Sequence, residues 1–413
     1  MCQRTLRAGT GLHARSAVRP ARPRPGRSKV ATVVCSAPVV PVTTTTSTST
    51  SSTDTTQPEL GWRTDLRTTY VLGAQLGVGS FGSVHKAFHA ESGEQVAVKT
   101  LPKERPKLSR AKVLEKLQRE LTLLDRLSDS PRVVQLMECF EDEDHVYIVT
   151  EACEGGDLQR FSDTYGPLTE RCLALVALEV LQIVRSCHRL GIVHGDVKPA
   201  NFCIKDEHRH PYAASPAALQ RSPWLKAIDF GCSQLHYRHA RLSKRSGTPV
   251  YMAPEIFKRD YSFEVDVWST GVLLYQLYCR HFPFWAGDSY NRALSLDEVA
   301  KAITENAIRM DFGPWLVMSP EGLDFVRGCL TRDPAQRLTV DEALEHPWLQ
   351  KFAGDCMGGL QGPLVETAAP AVANNIVRSP SQGGAPGPAQ QQQEAEAQQQ
   401  QPAGGRRDAA MAA

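Results

Sequence analysis

The hydrophobic pattern of this 413-residue chain changes from strand-like to helix-like at Gly155–Gly156, and that change most constrains the fold. Before it, short runs rich in β-branched residues alternate with turns, as at 95–100 and 145–150. After it, apolar residues recur at helical spacing, most clearly over 168–190. A run of strands followed by a run of helices predicts an α+β fold with a small sheet lobe and a mainly helical lobe.

The bulk composition is that of a globular protein and disfavours several classes. Hydrophobic residues make up 41% of the chain and the net charge is only +2, so we expect no nucleic-acid or membrane-surface partner. The 11 cysteines are scattered without the spacing of a metal site, which indicates a reducing compartment. No apolar run reaches about 18 residues, so we expect no transmembrane segment.

The two ends of the chain differ in composition from its middle. Residues 1–53 contain seven arginines and one lysine but no aspartate or glutamate, which is typical of an organellar transit peptide. We expect a transit peptide over 1–37 and a Thr/Ser-rich linker over 38–69; a disordered basic tail is the alternative. The expected location is the chloroplast, with the mitochondrion or the cytoplasm as alternatives. Residues 353–413, rich in Ala, Gly, Pro and Gln, predict a disordered tail.

One short segment carries the side chains that phosphoryl transfer needs at the acceptor side. Lys198 and Asn201 follow Asp196 at spacings of two and five residues. A carboxylate there can orient a hydroxyl and take its proton, an ammonium can neutralise charge on the moving phosphate, and an amide oxygen can bind Mg²⁺. This segment is too short to identify an enzyme by itself. The residues that would bind the nucleotide must therefore lie elsewhere in the chain.

A glycine-rich segment is the candidate phosphate-binding loop. Gly77, Gly79 and Gly82 follow the pattern Gly-x-Gly-x-x-Gly and precede Val84. In a dinucleotide-binding turn this pattern must lead from a strand into a helix. Here it lies between predicted strands and is followed by the strand that contains Lys99. We therefore predict a hairpin whose backbone amides approach phosphates.

Lys99 needs a partner if that apolar strand is buried. Over 109–127 the apolar residues fall at helical spacing, and Glu120 lies on their inward stripe, whereas Glu115 lies on the polar face. We therefore predict a Lys99–Glu120 ion pair that holds the lysine against the nucleotide phosphates. The alternative is an edge-strand lysine that faces water.

Two further motifs complete an ordered set. Asp229-Phe230-Gly231 follows a predicted strand, and Ala253-Pro254-Glu255 comes after it. Together with the glycine loop, Val-Ala-Val-Lys and His-x-Asp-x-Lys-x-x-Asn, this order resembles that of the eukaryotic protein kinases. The resemblance implies a bilobal kinase domain over 70–352, with a small antiparallel sheet lobe (70–151) and a mainly helical lobe (155–352).

The resemblance also implies cofactors and site residues. ATP and Mg²⁺ are the implied cofactors, with Asn201 and Asp229 as metal ligands. The implied catalytic residues are Asp196, Lys198, Lys99, Glu120 and Thr248. The implied nucleotide-binding residues are Leu76, Gly77, Val78, Gly79, Ser80, Phe81, Gly82, Val84, Ala97, Lys99, Thr150 behind the adenine, Glu151 and Cys153 at the hinge, and Asp157 at the ribose edge. Two structural roles are implied as well: Arg337 pairs with Glu255, and Asp266 supports residues 192–201, called the catalytic segment below.

The acceptor class follows from the same resemblance. Lys198-Pro199 lies beside the base, as in the Ser/Thr kinases, and Gly247-Thr248-Pro249 resembles their substrate-facing loop. We therefore expect protein substrates with Ser or Thr acceptors. The sequence of residues 271–286 resembles that of the calcium/calmodulin-dependent kinases and of the plant and algal calcium-dependent kinases. No Asp-x-Asp-x-Asp-Gly calcium loop occurs in the chain, so we do not expect calcium to bind directly.

Gly195 departs from the kinase pattern, because most kinases have arginine at this position. That arginine reads a phosphate on the activation loop through paired hydrogen bonds. We therefore predict that activity does not depend on phosphorylation of Ser243 or Ser246. The alternative is that Gly195 only relaxes the loop and that cations such as Lys244 compensate.

Other departures concern substrate choice and redox control. Ala200 and Gln276 replace two of the acidic residues that basophilic relatives place near the substrate, so a strong preference for upstream arginine is doubtful. Cys232 could sense redox state, although a buried cysteine is more often a small apolar residue. A pseudokinase or a scaffold is the alternative function, but Lys99, Asp196 and Asp229 are all retained.

Overall fold

The computed structural model describes the middle of the chain. The predicted transit peptide (1–37), most of the predicted linker and nearly all of the predicted tail lie outside the described residues. No helix in the described part is long and apolar enough to cross a membrane. The described residues are 58–79, 82–106, 108–213, 219, 222–237, 240–285 and 294–354.

The first lobe is a five-stranded sheet in the order β1-β2-β3-β5-β4, with every pair of neighbours antiparallel. The predicted α+β fold with an antiparallel sheet lobe is therefore confirmed. The strands are β1 (Tyr70–Gly79), β2 (Gly82–His89), β3 (Gln95–Pro102), β4 (Leu136–Glu141) and β5 (His145–Glu151).

Residues 58–69, which we placed in the linker, are part of this lobe. A short helix, α1 (Leu66–Thr69), buries Leu66 against the sheet, and Leu60 and Trp62 pack against the core. The sequence prediction was wrong here because three isolated apolar residues among polar ones form no periodic pattern.

Helix α2 (Arg110–Arg126) packs against the sheet with the predicted face inward. Val113, Leu117 and Leu124 are buried together with Glu120, whereas Glu115 is exposed. The helical spacing of the apolar residues therefore placed one glutamate inside and the other in solvent, as predicted.

The second lobe is mainly helical. Its longest helix, α4, begins at Glu170 because Thr169 caps it by accepting the Cys172 N–H. Helix α6 is buried nearly all round, which fits its continuous apolar sequence. The helices are α3 (Leu158–Tyr165), α4 (Glu170–Arg189), α5 (Pro254–Lys258), α6 (Glu264–Cys279), α7 (Leu296–Glu305), α8 (Pro320–Cys329), α9 (Val340–Glu345) and α10 (Pro347–Gly354).

Two short strand pairs frame the segment between the lobes. Strand β6 (Ile192–Val193) pairs with β9 (Gln234–Leu235), and β7 (Phe202–Ile204) pairs with β8 (Leu225–Ala227). The second pair is the predicted hairpin. Its register sets Phe202 opposite Ala227, so the chain after Asn201 runs beside the chain that leads into Asp229.

The long insert of 205–224 leaves this hairpin and packs in part on α3. The Tyr212 ring stacks on the Phe161 ring with centroids 5.7 Å apart, and Trp224 is buried. The described part of the insert is therefore attached to the helical lobe.

Candidate active site

The acceptor side is built around Asp196. Its Oδ1 accepts the Thr248 N–H at 2.8 Å, and its Oδ2 accepts the Asn201 amide at 3.0 Å. Lys198 Nζ lies 3.2 Å from the same Oδ2 and donates to Thr248 Oγ1 at 2.7 Å. Asp196, Lys198, Asn201 and Thr248, all predicted from sequence, are thus joined in one network. The Asp196 carboxylate is buried, and its hydrogen bonds fix its orientation, as is required of a base that accepts a hydroxyl proton.

Asp266 of α6 fixes the segment before this network. Its carboxylate accepts the backbone N–H groups of His194 and Gly195, each at 2.8 Å, and lies 2.9 Å from His188 Nε2. Burial alone would raise the pKa of Asp266, but the His188 contact and charge outweigh it, so that pKa lies below its ordinary value. An ionised carboxylate therefore supports the catalytic segment from below, as the kinase resemblance implies.

The nucleotide side is built around Lys99. Its Nζ donates to Glu120 Oε1 at 2.7 Å and lies 3.5 Å from Asp229 Oδ1. Burial disfavours the charged lysine, but the nearby Asp229 and Glu120 carboxylates outweigh it, so the pKa of Lys99 is raised. The structure thus brings together the strand lysine, the α2 glutamate and the aspartate of Asp-Phe-Gly. A lysine with two carboxylate partners is a charged group that a phosphate can reach.

The donor set of the site fits a magnesium ion. Asn201 uses its amide nitrogen on Asp196, which leaves the carboxamide oxygen as the atom that can ligate a cation. The pKa of Asp229 is lowered: burial opposes this, but Lys99, the Gly231 N–H and Lys198 outweigh it. Hard oxygen donors of this kind suit Mg²⁺. The described residues contain no group of three His, Cys, Asp or Glu side chains that could hold a metal, so other oxygens must complete the ligand shell.

The glycine-rich strand borders open space. Gly77 lies opposite Val84, and a Cβ at Gly77 would meet nothing within 4 Å. Leu76 and Val78, on the same strand, are exposed apolar residues. Exposed apolar surface beside open space is a common feature of ligand sites. Ser80 and Phe81, also predicted here, lie outside the described residues.

The comparisons with known proteins agree with this geometry. The family model described as "Protein kinase domain" matches residues 70–349, which is more than half of the chain. This chain belongs to the protein kinase family.

Calcium-dependent protein kinases are among the relatives of this kinase. It is 40% identical over 290 residues to calcium-dependent protein kinase 9 of Oryza sativa subsp. japonica, covering 70% of this chain and 47% of that protein. It is 38% identical over 281 residues to calcium-dependent protein kinase 24 of Arabidopsis thaliana, covering 68% and 45% respectively. The kinase spans about half the length of the curated relatives it matches.

The predicted hinge residues of the kinase are anchored by a contact that our sequence analysis did not predict. Thr150 lies opposite Ala97 in the β3–β5 register, and Glu151 follows it at the end of β5. Lys226 Nζ donates to Glu151 Oε1 at 2.6 Å and to the Val133 carbonyl at 3.2 Å. The sequence offered one signal for this contact, a lysine inside an otherwise apolar strand.

The structure shows the contacts of three residues predicted at the nucleotide edge of the kinase. Leu76 and Cys153 line one cavity of about 260 Å³ beside the hinge. Asp157 caps α3 by accepting the Arg160 N–H at 2.8 Å, and burial raises its pKa. The structure therefore shows a capping role for Asp157, while its contact with a ribose stays a prediction.

Gly195 of the kinase has a backbone that glycine suits. Its φ is +73°, and a Cβ there would lie 3.1 Å from the Cys232 carbonyl oxygen. Gly247 has a φ of +110°, and a Cβ there would lie 2.3 Å from the Gly195 carbonyl oxygen. Gly247 therefore lets the substrate-facing loop approach the catalytic segment closely. The prediction that Gly195 removes control by phosphorylation and its alternative, that it only relaxes the segment, both stay predictions.

Two further predictions have clear surroundings. Arg337 Nη2 donates to Glu255 Oε2 at 3.0 Å in a buried pair, as the resemblance implies. Burial raises the pKa of Cys232 to about 12. A thiol with so high a pKa is mostly protonated at neutral pH and reacts slowly with oxidants, which disfavours the redox role considered for it.

Proposed function

We propose that this kinase transfers the γ-phosphate of Mg-ATP to serine or threonine hydroxyls of protein substrates. One observation carries the proposal: Asp196, Lys198 and Thr248 form one hydrogen-bonded network, and its Lys198 charge also helps to lower the pKa of Asp229, which lies 3.5 Å from Lys99. The likeness to calcium-dependent protein kinases supports a protein as the substrate.

The side chains divide the work as follows. Asp196 orients the acceptor hydroxyl and accepts its proton, because its two oxygens are fixed by Thr248 and Asn201. Lys198 lies beside it and offsets negative charge on the transferred group. Lys99, positioned by Glu120, binds phosphate oxygens of the nucleotide.

Magnesium would be held by Asp229 and the Asn201 carboxamide oxygen, and it would neutralise phosphate charge. The Lys198–Thr248 hydrogen bond supports the Ser/Thr assignment, because it joins the catalytic lysine to the substrate-facing loop. Substrate sequence preference is left open by this arrangement.

Phosphate transfer from Mg-ATP to a generic Ser/Thr protein substrate tests the proposal. Asp196→Asn should reduce turnover by at least about 10³-fold, since the amide cannot accept the proton. Wild-type protein that binds ATP but never transfers phosphate would favour the pseudokinase alternative. Transfer to tyrosine in place of serine or threonine would contradict the acceptor assignment.

We also propose that activity is independent of activation-loop phosphorylation. The Tyr261 side chain contacts the loop on both sides: it accepts from Gln234 Nε2 at 2.7 Å and donates to the Lys244 carbonyl at 2.5 Å. Leu242 pairs with Tyr261 through backbone bonds at 2.8 and 3.1 Å. These contacts attach parts of the loop to the helical lobe, which supports the proposal. Ser243→Ala combined with Ser246→Ala should keep turnover within about twofold of wild type, and loss of turnover would contradict this.

A chloroplast location is proposed from the acid-free, arginine-rich composition of residues 1–53. A fluorescent reporter fused to residues 1–60 should enter plastids. Reporter signal in mitochondria or in the cytoplasm would contradict the proposal.

A further inference from the structure

Residues 58–69, called the N-terminal strap below, run along the outer strand of the sheet lobe. Arg63 forms a parallel bridge with Phe140, and the Glu141 N–H donates to the Arg63 carbonyl at 2.9 Å. The Arg63 guanidinium lies 4.9 Å from the centre of the Phe140 ring. Leu66 is buried in the same lobe. The strap is therefore attached to β4 by backbone bonds as well as side chains.

A buried ion pair anchors the start of the strap. Lys103 Nζ donates to Glu141 Oε2 at 2.7 Å, with both side chains almost fully buried. The other carboxylate oxygen of Glu141 accepts the Leu60 N–H at 2.8 Å and the Trp62 N–H at 3.0 Å. Moving the strap would leave a buried carboxylate short of two donors, which is costly. The strap position is thus strongly fixed.

From this anchor the strap reaches helix α2. The Glu59 carboxylate accepts from Arg110 Nε, with both oxygens at 3.0 Å, and lies 3.4 Å from Lys103 Nζ. Arg110 is the first residue of α2, and its Nη2 also donates to the Glu143 carbonyl at 2.5 Å. Glu59 therefore joins the anchor to the beginning of α2.

The beginning of α2 lacks the groups that usually stabilise a helix N-terminus. Ser109, at the capping position, makes no side-chain capping bond, and the first turn contains no acidic residue. Arg110 adds positive charge where the helix dipole is already positive. The Glu59 carboxylate supplies the missing negative charge from outside the helix.

The position of α2 matters because the same helix carries Glu120. We propose that Glu59 is a positioning residue, which together with the anchored strap holds α2 where Glu120 reaches Lys99. This inference rests on the proposed function, in which Lys99 binds the nucleotide phosphates. The strap acts on α2 from the sheet lobe, so it needs no phosphate on the activation loop. It also makes the junction with the N-terminal region part of the active conformation.

The experiment compares Glu59→Gln with wild type in the full-length chain. Losing a partly exposed ion pair should lower kcat about threefold, leave KM for the protein substrate unchanged, and speed amide hydrogen exchange over 110–126. Glu59→Asp, which keeps the negative charge beside Arg110 and Lys103, should retain more than half of the wild-type kcat. The matched control is Glu115→Gln, since Glu115 pairs with Arg119 at 2.8 Å on the exposed face of the same helix.

Three results would overturn the inference. Wild-type kcat and wild-type exchange over α2 in Glu59→Gln would show that Glu59 positions nothing. An equal loss in Glu115→Gln would show a general charge effect on the helix. An equal kcat loss in Glu59→Asp and Glu59→Gln, accompanied only by a lower Tm, would show a purely structural role. If wild type itself transfers no phosphate, the proposed function fails, whereas the hydrogen-exchange comparison still tests the strap.

Discussion

Lys99 on β3 and Lys103 just after it each pair with a glutamate, but the two pairs differ in solvent exposure. The Lys99–Glu120 pair is called the open pair below, and the Lys103–Glu141 pair is called the closed pair. The Lys99 side chain is 23% exposed and has a second carboxylate, Asp229, beside its Glu120 partner. The Lys103 side chain is 2% exposed, and that of Glu141 is 0% exposed. Lys103 also has a second carboxylate, Glu59, at 3.4 Å, so the two pairs differ in exposure and not in the number of partners. An exposed pair can exchange partners with a ligand, whereas a buried pair can only hold the structure together.

The closed pair is closed because the backbone completes it. Both oxygens of Glu141 are used, one by Lys103 and the other by the strap N–H groups of Leu60 and Trp62. At the open pair no backbone N–H completes Glu120 among the contacts described, and the lysine side chain stays partly exposed. The comparison predicts that the two lysines fail differently when they are replaced.

Lys99→Met should give the largest effect, on activity. Without the ammonium, nothing at the open pair binds the nucleotide phosphates, so kcat/KM for phosphate transfer should fall by at least about 100-fold. The measurement is steady-state transfer from Mg-ATP, with circular dichroism to show that the variant is folded. Lys112→Met, on the exposed face of α2, is the control and should retain activity. Retained activity in Lys99→Met would contradict the difference between the two pairs.

Lys103→Met should give the next largest effect, on stability. Removing one partner of a closed pair leaves a buried carboxylate uncompensated, which costs about 3 kcal/mol of unfolding free energy. Urea unfolding at neutral pH measures it. Adding Glu141→Gln should recover part of the loss, because the amide is uncharged and its oxygen still accepts the Leu60 and Trp62 N–H groups. If the Lys103→Met protein were folded but as inactive as Lys99→Met, the predicted difference between the two pairs would be wrong.

The two pairs also differ in how far the sequence reveals them. Lys99 and Glu120 were predictable, because one lies in a recognisable motif and the other interrupts an apolar stripe at helical spacing. Lys103 and Glu141 lie just after one strand and at the end of another, 38 residues apart, and no periodic pattern connects them. Their pairing depends on the strand order of the sheet, which only the fold supplies.

The same limit explains the strap and the hinge contact. The network of Asp196, Lys198 and Asn201 is local in sequence, so its chemistry was predictable from residue types and spacing. Glu59 and Lys226 act across 51 and 75 residues respectively. Contacts at such separation depend on tertiary packing, and a single sequence carries no local signal of their partners.

Lys226→Met tests an intermediate case, because Lys226 pairs with Glu151 at the hinge and is itself buried. Its lysine is buried and its glutamate is partly exposed beside a ligand site. Replacing Lys226 should therefore affect binding more than chemistry, so KM for ATP should rise about threefold while kcat stays within about twofold. Lys226→Arg should preserve most of the affinity by keeping the charge. Lys205→Met, exposed on the same hairpin, is the control. A kcat loss without a change in KM would place Lys226 with the open pair.

The smallest expected effect is the pH dependence of stability at the open pair. The pKa of Asp229 lies below 3.8, since Lys99, the Gly231 N–H and Lys198 outweigh burial. A depressed carboxyl pKa contributes stability above its unfolded value and loses it as pH falls through the folded value. The raised pKa of Lys99 contributes stability below 10.5 and loses it as pH rises through the folded value.

The difference in unfolding free energy between wild type and Asp229→Asn, which removes the titrating carboxyl, should therefore be constant between about pH 5 and pH 9 and change only outside that window. Urea unfolding of both proteins at several pH values measures this difference. A stability difference that shrank by about 1 kcal/mol already between pH 7 and pH 5 would mean that Asp229 protonates in the ordinary range. Lys99 would then lack its second carboxylate near neutral pH, and the open pair would reduce to a single Lys–Glu contact.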